Sequence, residues 1–442
     1  MKPKKAPQQN RQYDLFRSEL VNMINPGHPL VKLSKVVEWK RFEEAFGESY
    51  CPDNGRPAIS TRLMVALHYL KYSCDLSDEE VVSGWVENPY WQYLSGMKFF
   101  EHELPIHPSS MTRWRKRIGE GGMEKMLQET LAAGLRMKAV KISQLQRINV
   151  DTTVQEKDIR FPTDARLYDR ARQRLVAEAK KRGIILRQNY NRNARELVCQ
   201  QSRYAHARQM KRAQSCTRKL KTYLGRVIRD IERKCSCPDG SLDDILQVSR
   251  RIFSQKRNDK NKVYSVHESS VECISKGKAH KRFEFGCKVS VAATSRGGWF
   301  VGAQAFHGNP YDGHTLADTL AQVERISGLP EHVYVDQGYR GHGWSGDSTI
   351  HVDKRRRGKT ARSVWRWMKR RAAVEPGIGH LRQEHRLDRN HLKGVLGDQI
   401  NAILSAAGMN FKKLLRWLEE SLRLIYCWLL TIQQAVRGAV VD

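Results

Sequence analysis

Two periodicities divide this chain. From residue 1 to about residue 140, apolar positions recur at helical spacing. In residues 59–72, Leu63, Ala66, Leu67 and Leu70 share one face, and Ser60 stands where an N-cap is expected. Ser77 followed by Glu80 predicts a capping box opening a second helix. That helix carries Val81, Val82, Trp85 and Val86 and ends near Asn88-Pro89. A third helix begins at Pro108-Ser109-Ser110, carries Met111, Trp114 and Ile118, and stops at Gly119. It is expected to expose Arg113, Arg115, Lys116 and Arg117. A short basic helix after two packed ones has the layout of a helix-turn-helix, so these four residues are candidate DNA contacts. The competing reading is a helical bundle with a solvated basic face.

The period changes near residue 148. Ile148, Val150 and Thr152 alternate as in a half-buried strand. Helical spacing then returns, with Leu220, Tyr223, Leu224, Val227, Ile228 and Ile231 on one stripe and Pro238-Asp239-Gly240 as a turn. From about residue 262 strands dominate. Residues 283–293 and 299–306 are apolar runs joined by Ser295-Arg296-Gly297-Gly298, a hairpin pattern. A helix over 312–326 follows, then strands over 332–336 and 349–352. Next come a basic, Trp-bearing helix over 363–371 and one or two apolar helices from Asp398 to about Val436. With the helical segment set aside as an insertion, this order resembles the ribonuclease H fold. The expected fold is α/β: a ribonuclease H-like mixed sheet with flanking helices and a large basic helical insertion after the first strand. An all-helical N-terminal DNA-binding domain precedes it. The expected boundaries are 1–140 for the N-terminal domain, 141–165 with 260–396 for the sheet core, 166–259 for the insertion and 397–442 for C-terminal apolar helices.

Charge narrows the function. The 442 residues carry a formal charge of +31. Self-repulsion on that scale calls for a polyanionic partner, and nucleic acid is the natural one. The excess is concentrated: residues 166–260 hold 26 Lys and Arg against 9 Asp and Glu. A nucleic-acid clamp fits that single-signed insertion better than a solvated face does. The nine cysteines include no CxxC pair, which argues against a zinc ribbon, and their odd number without a signal peptide fits a reducing cytoplasm. The basic N-terminus lacks the apolar core of an export signal. The most apolar stretch, 422–436, is too short to span a bilayer and contains Arg423. No membrane partner is expected.

Three strings supply the candidate chemistry: INVDTT around Asp151, VYVDQGYRG around Asp336 and RRAAVEPGIGHLR around Glu375. The first two aspartates read as strand ends, and the glutamate as a helix boundary. Mg²⁺ prefers carboxylate oxygens and retains waters, so two or three acids on rigid elements suffice to hold it. A pair of such ions clamps the attacking and leaving oxygens of a phosphoryl transfer. Arg371 stands four residues before Glu375 and shares its face if the helix is continuous; Pro376 argues for a break. Arg371 is then a contact for the scissile phosphate, or an ion-pair partner of Glu375. His307, Asn309, Asp312 and His314 form a further polar cluster, which reads first as turn and cap chemistry. Trp344, Trp365 and Trp367 read as stacking platforms or core. Lys354, Arg355, Arg356 and Arg357 make a basic loop suited to DNA backbone.

These strings resemble the bacterial insertion-sequence transposases of the DDE class. VDTT, GNPYDGHTL, VDQGYRG, RRAAVEPGIGHLR and KGKAHKRFEFGCKVSV occur in the expected order. The closest group is the insertion-sequence-five type within the insertion-sequence-four superfamily. The resemblance implies Asp151, Asp336 and Glu375 as the catalytic, metal-binding triad, separated by 184 and 38 residues. It implies Mg²⁺ as cofactor, with Mn²⁺ as a substitute. It also implies cut-and-paste cleavage and strand transfer at terminal inverted repeats. The partners would be inverted-repeat ends and target DNA, held by a homo-oligomer on DNA in the bacterial cytoplasm, at the nucleoid. The family signature around the glutamate is Tyr, two residues, Arg, three residues, Glu, six residues, Lys. Here those positions hold Met368, Arg371, Glu375 and Arg382. The last keeps its charge with a different geometry. The alternatives are a ribonuclease H-like nuclease without strand transfer, or an inactive DNA-binding descendant acting as a regulator.

Overall fold

The computed structural model describes residues 18–51, 57–235, 240–275, 282–353 and 362–438, with side chains through Ser421. Within these residues the chain forms two compact units. One comprises residues 1–155, 288–306 and 310–442; the other comprises 156–287 and 307–309.

The first unit is built on a mixed sheet. Its strands are β1 (Arg147–Lys157), β3 (Glu284–Thr294), β4 (Phe300–Phe306), β5 (His332–Val335), β6 (Thr349–Val352) and β7 (Arg389–Asn390). The order runs β4-β3-β1-β5-β6, with β7 paired to β1. β1 and β5 are parallel, as are β5 and β6. β3 and β4 form the antiparallel hairpin anticipated from residues 295–298. The alternation expected for β1 is not observed. Ile148, Asn149 and Val150 are all buried, as are Thr152 through Gln155. A central strand loses both faces to neighbouring layers. The strand also continues past Asp151 through the β-branched Thr152, Thr153 and Val154 to Lys157. Asp151 is therefore within the strand and not at its end.

Helices surround this sheet. Helix Gly394–Gly438 packs on Thr61–Ser73, on Ser109–Arg136 and on β4. It is a single helix where the sequence left one or two open. Tyr69 stacks on Phe411 at 4.8 Å, and the Tyr72 hydroxyl donates to Asn401 Oδ1 at 2.9 Å. Gly408 is required at this crossing, because a Cβ there would meet the Tyr72 carbonyl carbon at 2.6 Å. Helix Thr61–Ser73 starts after Ser60, but the Ser60 side chain makes no cap bond. The Ser77–Glu80 capping box forms as expected. Gly119, at φ 69°, breaks the Ser109–Arg136 segment into two helices.

Arg115 differs from expectation. It is buried, not exposed: its guanidinium donates to both Asp78 oxygens, at 2.9 and 2.5 Å, and to Thr112. The helix turns it inward beside Trp114, while Arg113, Lys116 and Arg117 remain exposed. Its position in a basic run concealed a structural role.

His68 belongs to the same cluster. Its Nδ1 lies 2.7 Å from the Met64 carbonyl, and Arg115 Nη1 lies 3.3 Å from Nε2. A neutral ring satisfies both contacts, with Nδ1 donating and Nε2 accepting. Burial and the Arg115 charge push the His68 pKa down to about 3, and burial lowers His385 to about 4. Both folded values lie below the unfolded one, so both stabilising contributions are complete above pH 6.5. They are lost as pH falls toward the folded values. Chemical denaturation from pH 7.5 to 5 should show stability falling below pH 6.5, by about 1.4 kcal/mol per pH unit for each group. His68→Gln should flatten that slope; an unchanged slope in the variant would refute the assignment.

The second unit is mainly helical. Helices Asp164–Lys181, Asn191–His206, Met210–Lys234 and Gly240–Ser254 enclose a core that includes Leu175, Leu220, Leu224, Ile231, Leu246 and Val263. The expected apolar stripe of residues 220–231 faces this core. Tyr190 stacks on Tyr223 at 4.3 Å. Buried Arg172 bonds Asp169, Asn191 and the Asn189 carbonyl. β2 (Glu272–Ile274) pairs antiparallel with Glu284–Gly286 of β3. The turn expected at Pro238-Asp239 lies outside the described residues. Among the described residues, no helix is long and apolar enough to cross a membrane.

Candidate active site

The parallel pairing of β1 with β5 brings the segments that carry the first two acids alongside each other. Arg147 pairs with His332, Ile148 with Val333 and Asn149 with Tyr334, and the ladder ends there, two residues before Asp151 and Asp336. Asp336 stands just past the end of β5, and the charges of both aspartates act on the buried Tyr339. Each carboxylate is oriented by nearby backbone. Asp151 Oδ1 accepts from the Thr152 N–H at 2.8 Å. Asp336 Oδ1 accepts from the Gly338 N–H at 2.9 Å, capping the turn Gln337–Tyr339 that ends the strand.

Glu375 joins through Arg371. Helix Arg362–Arg371 ends, Ala372 and Ala373 form a turn, and helix Val374–Glu384 begins with Glu375 and Pro376 in its first turn. The expected break is present, and Pro376 sits where its missing N–H costs no helix bond. Arg371 Nη1 lies 3.6 Å from Asp151 Oδ2, and Nη2 lies 3.8 Å from Glu375 Oε1. Two acids thus converge on one cation. These distances exceed the 2.7–2.9 Å typical of a tight charge-assisted bond, so the guanidinium bridges the acids without locking either. The Glu375 side chain is 62% exposed, against 17% for Asp151. The glutamate is thus the solvent-facing member.

In kind, this donor set suits a hard divalent cation, since such ions prefer carboxylate oxygens. Among the described residues, however, the oxygens of Asp151, Asp336 and Glu375 are not gathered within 4.8 Å of one another, and only Asp151 and Glu375 flank Arg371. Close to the aspartates lies Tyr339, which is fully buried with Ser290 beside its hydroxyl. Burial pushes its phenol well above the ordinary range, and the charges of Asp151, Asp312 and Asp336 add to the effect. Those three acids therefore surround one buried side chain.

Asp312 is drawn in where its turn-rich string pointed first to loop chemistry. Its Oδ1 accepts from Thr152 Oγ1 at 3.0 Å and from Lys288 Nζ at 2.9 Å. His307 and Asn309 fall in the other compact unit, and His314 is exposed against Tyr311. Lys288 and Tyr339 were not singled out from the sequence. A usable signal was present for Lys288: a lone cation inside the apolar run FEFGCKVSV.

The remaining candidates separate. Arg382 pairs with Asp388 at 2.7 Å. Met368, at the signature's tyrosine position, is half-buried in helix Arg362–Arg371. Trp367 is flanked by the guanidinium groups of Arg147, Arg296 and Arg370, and Trp365 by Lys369. The Trp344 indole donates to the Ser348 carbonyl at 3.2 Å. Lys354, Arg355, Arg356 and Arg357 lie outside the described residues.

Comparison with known proteins identifies the family. Residues 18–117 match the family described as Transposase domain (DUF772), and residues 255–411 match Transposase DDE domain. The second match contains Asp312, Asp336, Arg371 and Glu375; Asp151 precedes it, on the far side of the inserted helices. The chain is 57% identical over 196 residues to "Uncharacterized protein ORF8 in nfe locus" of Rhizobium meliloti, covering 44% of this chain and 94% of that one. No solved structure matches the chain. Enzymes with this DDE domain generally use divalent metal ions. With residues 18–117 matching one transposase domain and residues 255–411 another, the chain belongs to the DDE transposases.

Proposed function

We propose that this transposase cleaves DNA at the terminal inverted repeats of an insertion sequence and joins the freed 3′-hydroxyl to target DNA. Asp151, Asp336 and Glu375 would be its catalytic acids. The approach of Arg371 to both Asp151 and Glu375, with Asp336 acting on the same buried Tyr339 as Asp151, supports the reading. Read this way, the sheet is ribonuclease H-like, with the β3–β4 hairpin on one side of β1 and parallel β5 and β6 on the other. Mg²⁺, or Mn²⁺ in its place, would be held by the three acids. Once bound it would lower the pKa of the attacking water or 3′-hydroxyl and neutralise charge developing at phosphorus.

The protein's own groups orient the substrate. Arg371 stands between Asp151 and Glu375, within reach of a phosphate brought to the acids. Its fork can donate two bonds to phosphoryl oxygens. Arg382 is the next cation on the glutamate helix, partly engaged by Asp388. Arg113, Lys116 and Arg117 are exposed in the N-terminal helices and suit contact with the DNA ends. Arg115 is withdrawn from that role by its pairing with Asp78. Lys354 to Arg357 remain candidates by charge. In the second unit, Arg192, Arg195 and Arg203 are exposed along one face of helix Asn191–His206, suited to a phosphate backbone. Two ends must be brought together, so a homo-oligomer on DNA is expected.

The test uses the full chain, a labelled inverted-repeat end with a pre-cut 3′-hydroxyl, and supercoiled target. Joined product in Mg²⁺ is expected. Hydrolysis without joining would overturn the strand-transfer reading and favour a nuclease. Lys116→Ala should weaken end binding and reduce the salt slope by about one, with thermal stability unchanged.

A further inference from the structure

Asp312 connects to the residues beside both Asp151 and Asp336. Its Oδ1 accepts from Thr152, the residue after Asp151, whose own N–H orients the Asp151 carboxylate. Its Oδ2 faces the turn after Asp336. An ideal Cβ on Gly338 would lie 3.1 Å from Asp312 Oδ2 and 3.0 Å from Asp336 Oδ1. Position 338 is thus enclosed by two carboxylates and leaves little room for a side chain. Tyr339 follows, fully buried, close enough to Asp151, Asp312 and Asp336 for all three charges to act on it.

Three neighbouring carboxylates repel one another, and a compensating charge is needed. Lys288 supplies it from within β3. Only 8% of it is exposed, and its Nζ bonds Asp312 Oδ1 and the Pro310 carbonyl. With Oδ1 held by two donors, Asp312 is fixed in orientation.

We propose that Asp312 is a positioning residue for the acid pair. It sets Asp151 through Thr152 and the Asp336 turn through Gly338 and Tyr339, with Lys288 balancing its charge. This inference rests on the metal-site reading above. Outer partners of metal ligands fix ligand orientation, and their loss typically weakens metal binding 10–100-fold.

The test measures Mn²⁺ affinity of the full chain by electron paramagnetic resonance, well below the unfolding temperature, with Mn²⁺ alone as probe. Asp336→Asn serves as control and should bind far more weakly than the natural chain. Asp312→Ala should lose about 10-fold or more. Asp312→Asn should recover most of that loss, because its amide oxygen still accepts from Thr152 and Lys288. Thr152→Val keeps the shape, removes the donor and should lose affinity as Asp312→Ala does; it decides the matter if Asp312→Ala fails to fold. A purely structural role would lower the melting temperature of these variants while leaving Mn²⁺ affinity intact. Affinities of Asp312→Ala and Thr152→Val within about twofold of the natural chain would overturn the inference. If the natural chain and Asp336→Asn bind Mn²⁺ equally, the metal site itself is misassigned and the positioning role falls with it.

Discussion

Asp336→Asn should reduce DNA cleavage about 1,000-fold or more while leaving binding to inverted-repeat DNA intact. The substitution is nearly isosteric. Its amide oxygen can still accept the Gly338 N–H, so the cap of the turn Gln337–Tyr339 survives. What is lost is the negative charge beside Asp151. Metal-assisted stabilisation is worth several kcal/mol, and each 1.36 kcal/mol is tenfold in rate. Melting temperature should barely move, which separates a catalytic loss from an unfolding one. End binding, measured without divalent metal, should be unchanged because the proposed N-terminal contacts are on other helices. Cleavage at the natural rate in this variant would remove Asp336 from the site. Glu375→Gln should show a similar loss if the exposed glutamate joins the metal when DNA is present.

Arg115→Ala should destabilise the fold by about 3–5 kcal/mol, the cost of leaving a buried ion-pair partner unmatched. Arg115 is 2% exposed and forms a two-pronged pair with Asp78, beside Lys71. Burial alone would raise the Asp78 carboxyl. The Arg115 hydrogen bonds and the Lys71 charge overcome it and hold that carboxyl well below the usual range. Because the folded value is depressed, this contribution is full above the unfolded carboxylate pKa and is lost only as pH falls through the lower folded value. Chemical denaturation at pH 7.5 measures the loss. A change under 1 kcal/mol would mean that Asp78 finds adequate compensation from Lys71 alone. The neighbouring Lys116→Ala should show the opposite profile, with weaker DNA binding and unchanged stability. Two adjacent basic residues in one short helix are thus expected to have separable roles.

That contrast marks where the sequence was legible. Strong local patterns translated directly. The Ser77–Glu80 box, the β3–β4 hairpin, the short strand over 349–352 and the apolar stripe of residues 220–231 all formed where spacing put them. In each the side-chain pattern is itself local, even where the partners are distant, as for residues 349–352 paired with β5. Errors arose where environment decides. Asp151 read as a strand end because the sequence turns polar after it, yet Thr152, Thr153 and Val154 continue the strand in a fully covered interior. Ser60 stands at a helix start without using its hydroxyl. Arg115 looked like one more exposed cation.

The candidate site divides in the same way. Asp151, Asp336, Glu375 and Arg371 were visible as residues in ordered strings, and Pro376 correctly announced a helix break. Their distances were not visible. The approach of the Asp151 and Asp336 segments depends on the pairing of β1 with β5 across many intervening residues. The Asp312–Lys288–Thr152 network joins three separate elements.

By itself, then, the sequence determined the concentration of basic charge, the main helices and strands, and the candidate acids. Net charge, periodicity and side-chain type are local properties that survive without a fold. The tertiary structure alone decided which acids stand side by side, which basic residue is buried and which lysine balances a crowded carboxylate. Those outcomes follow from burial and parallel strand pairing, which bring together groups that no local pattern connects.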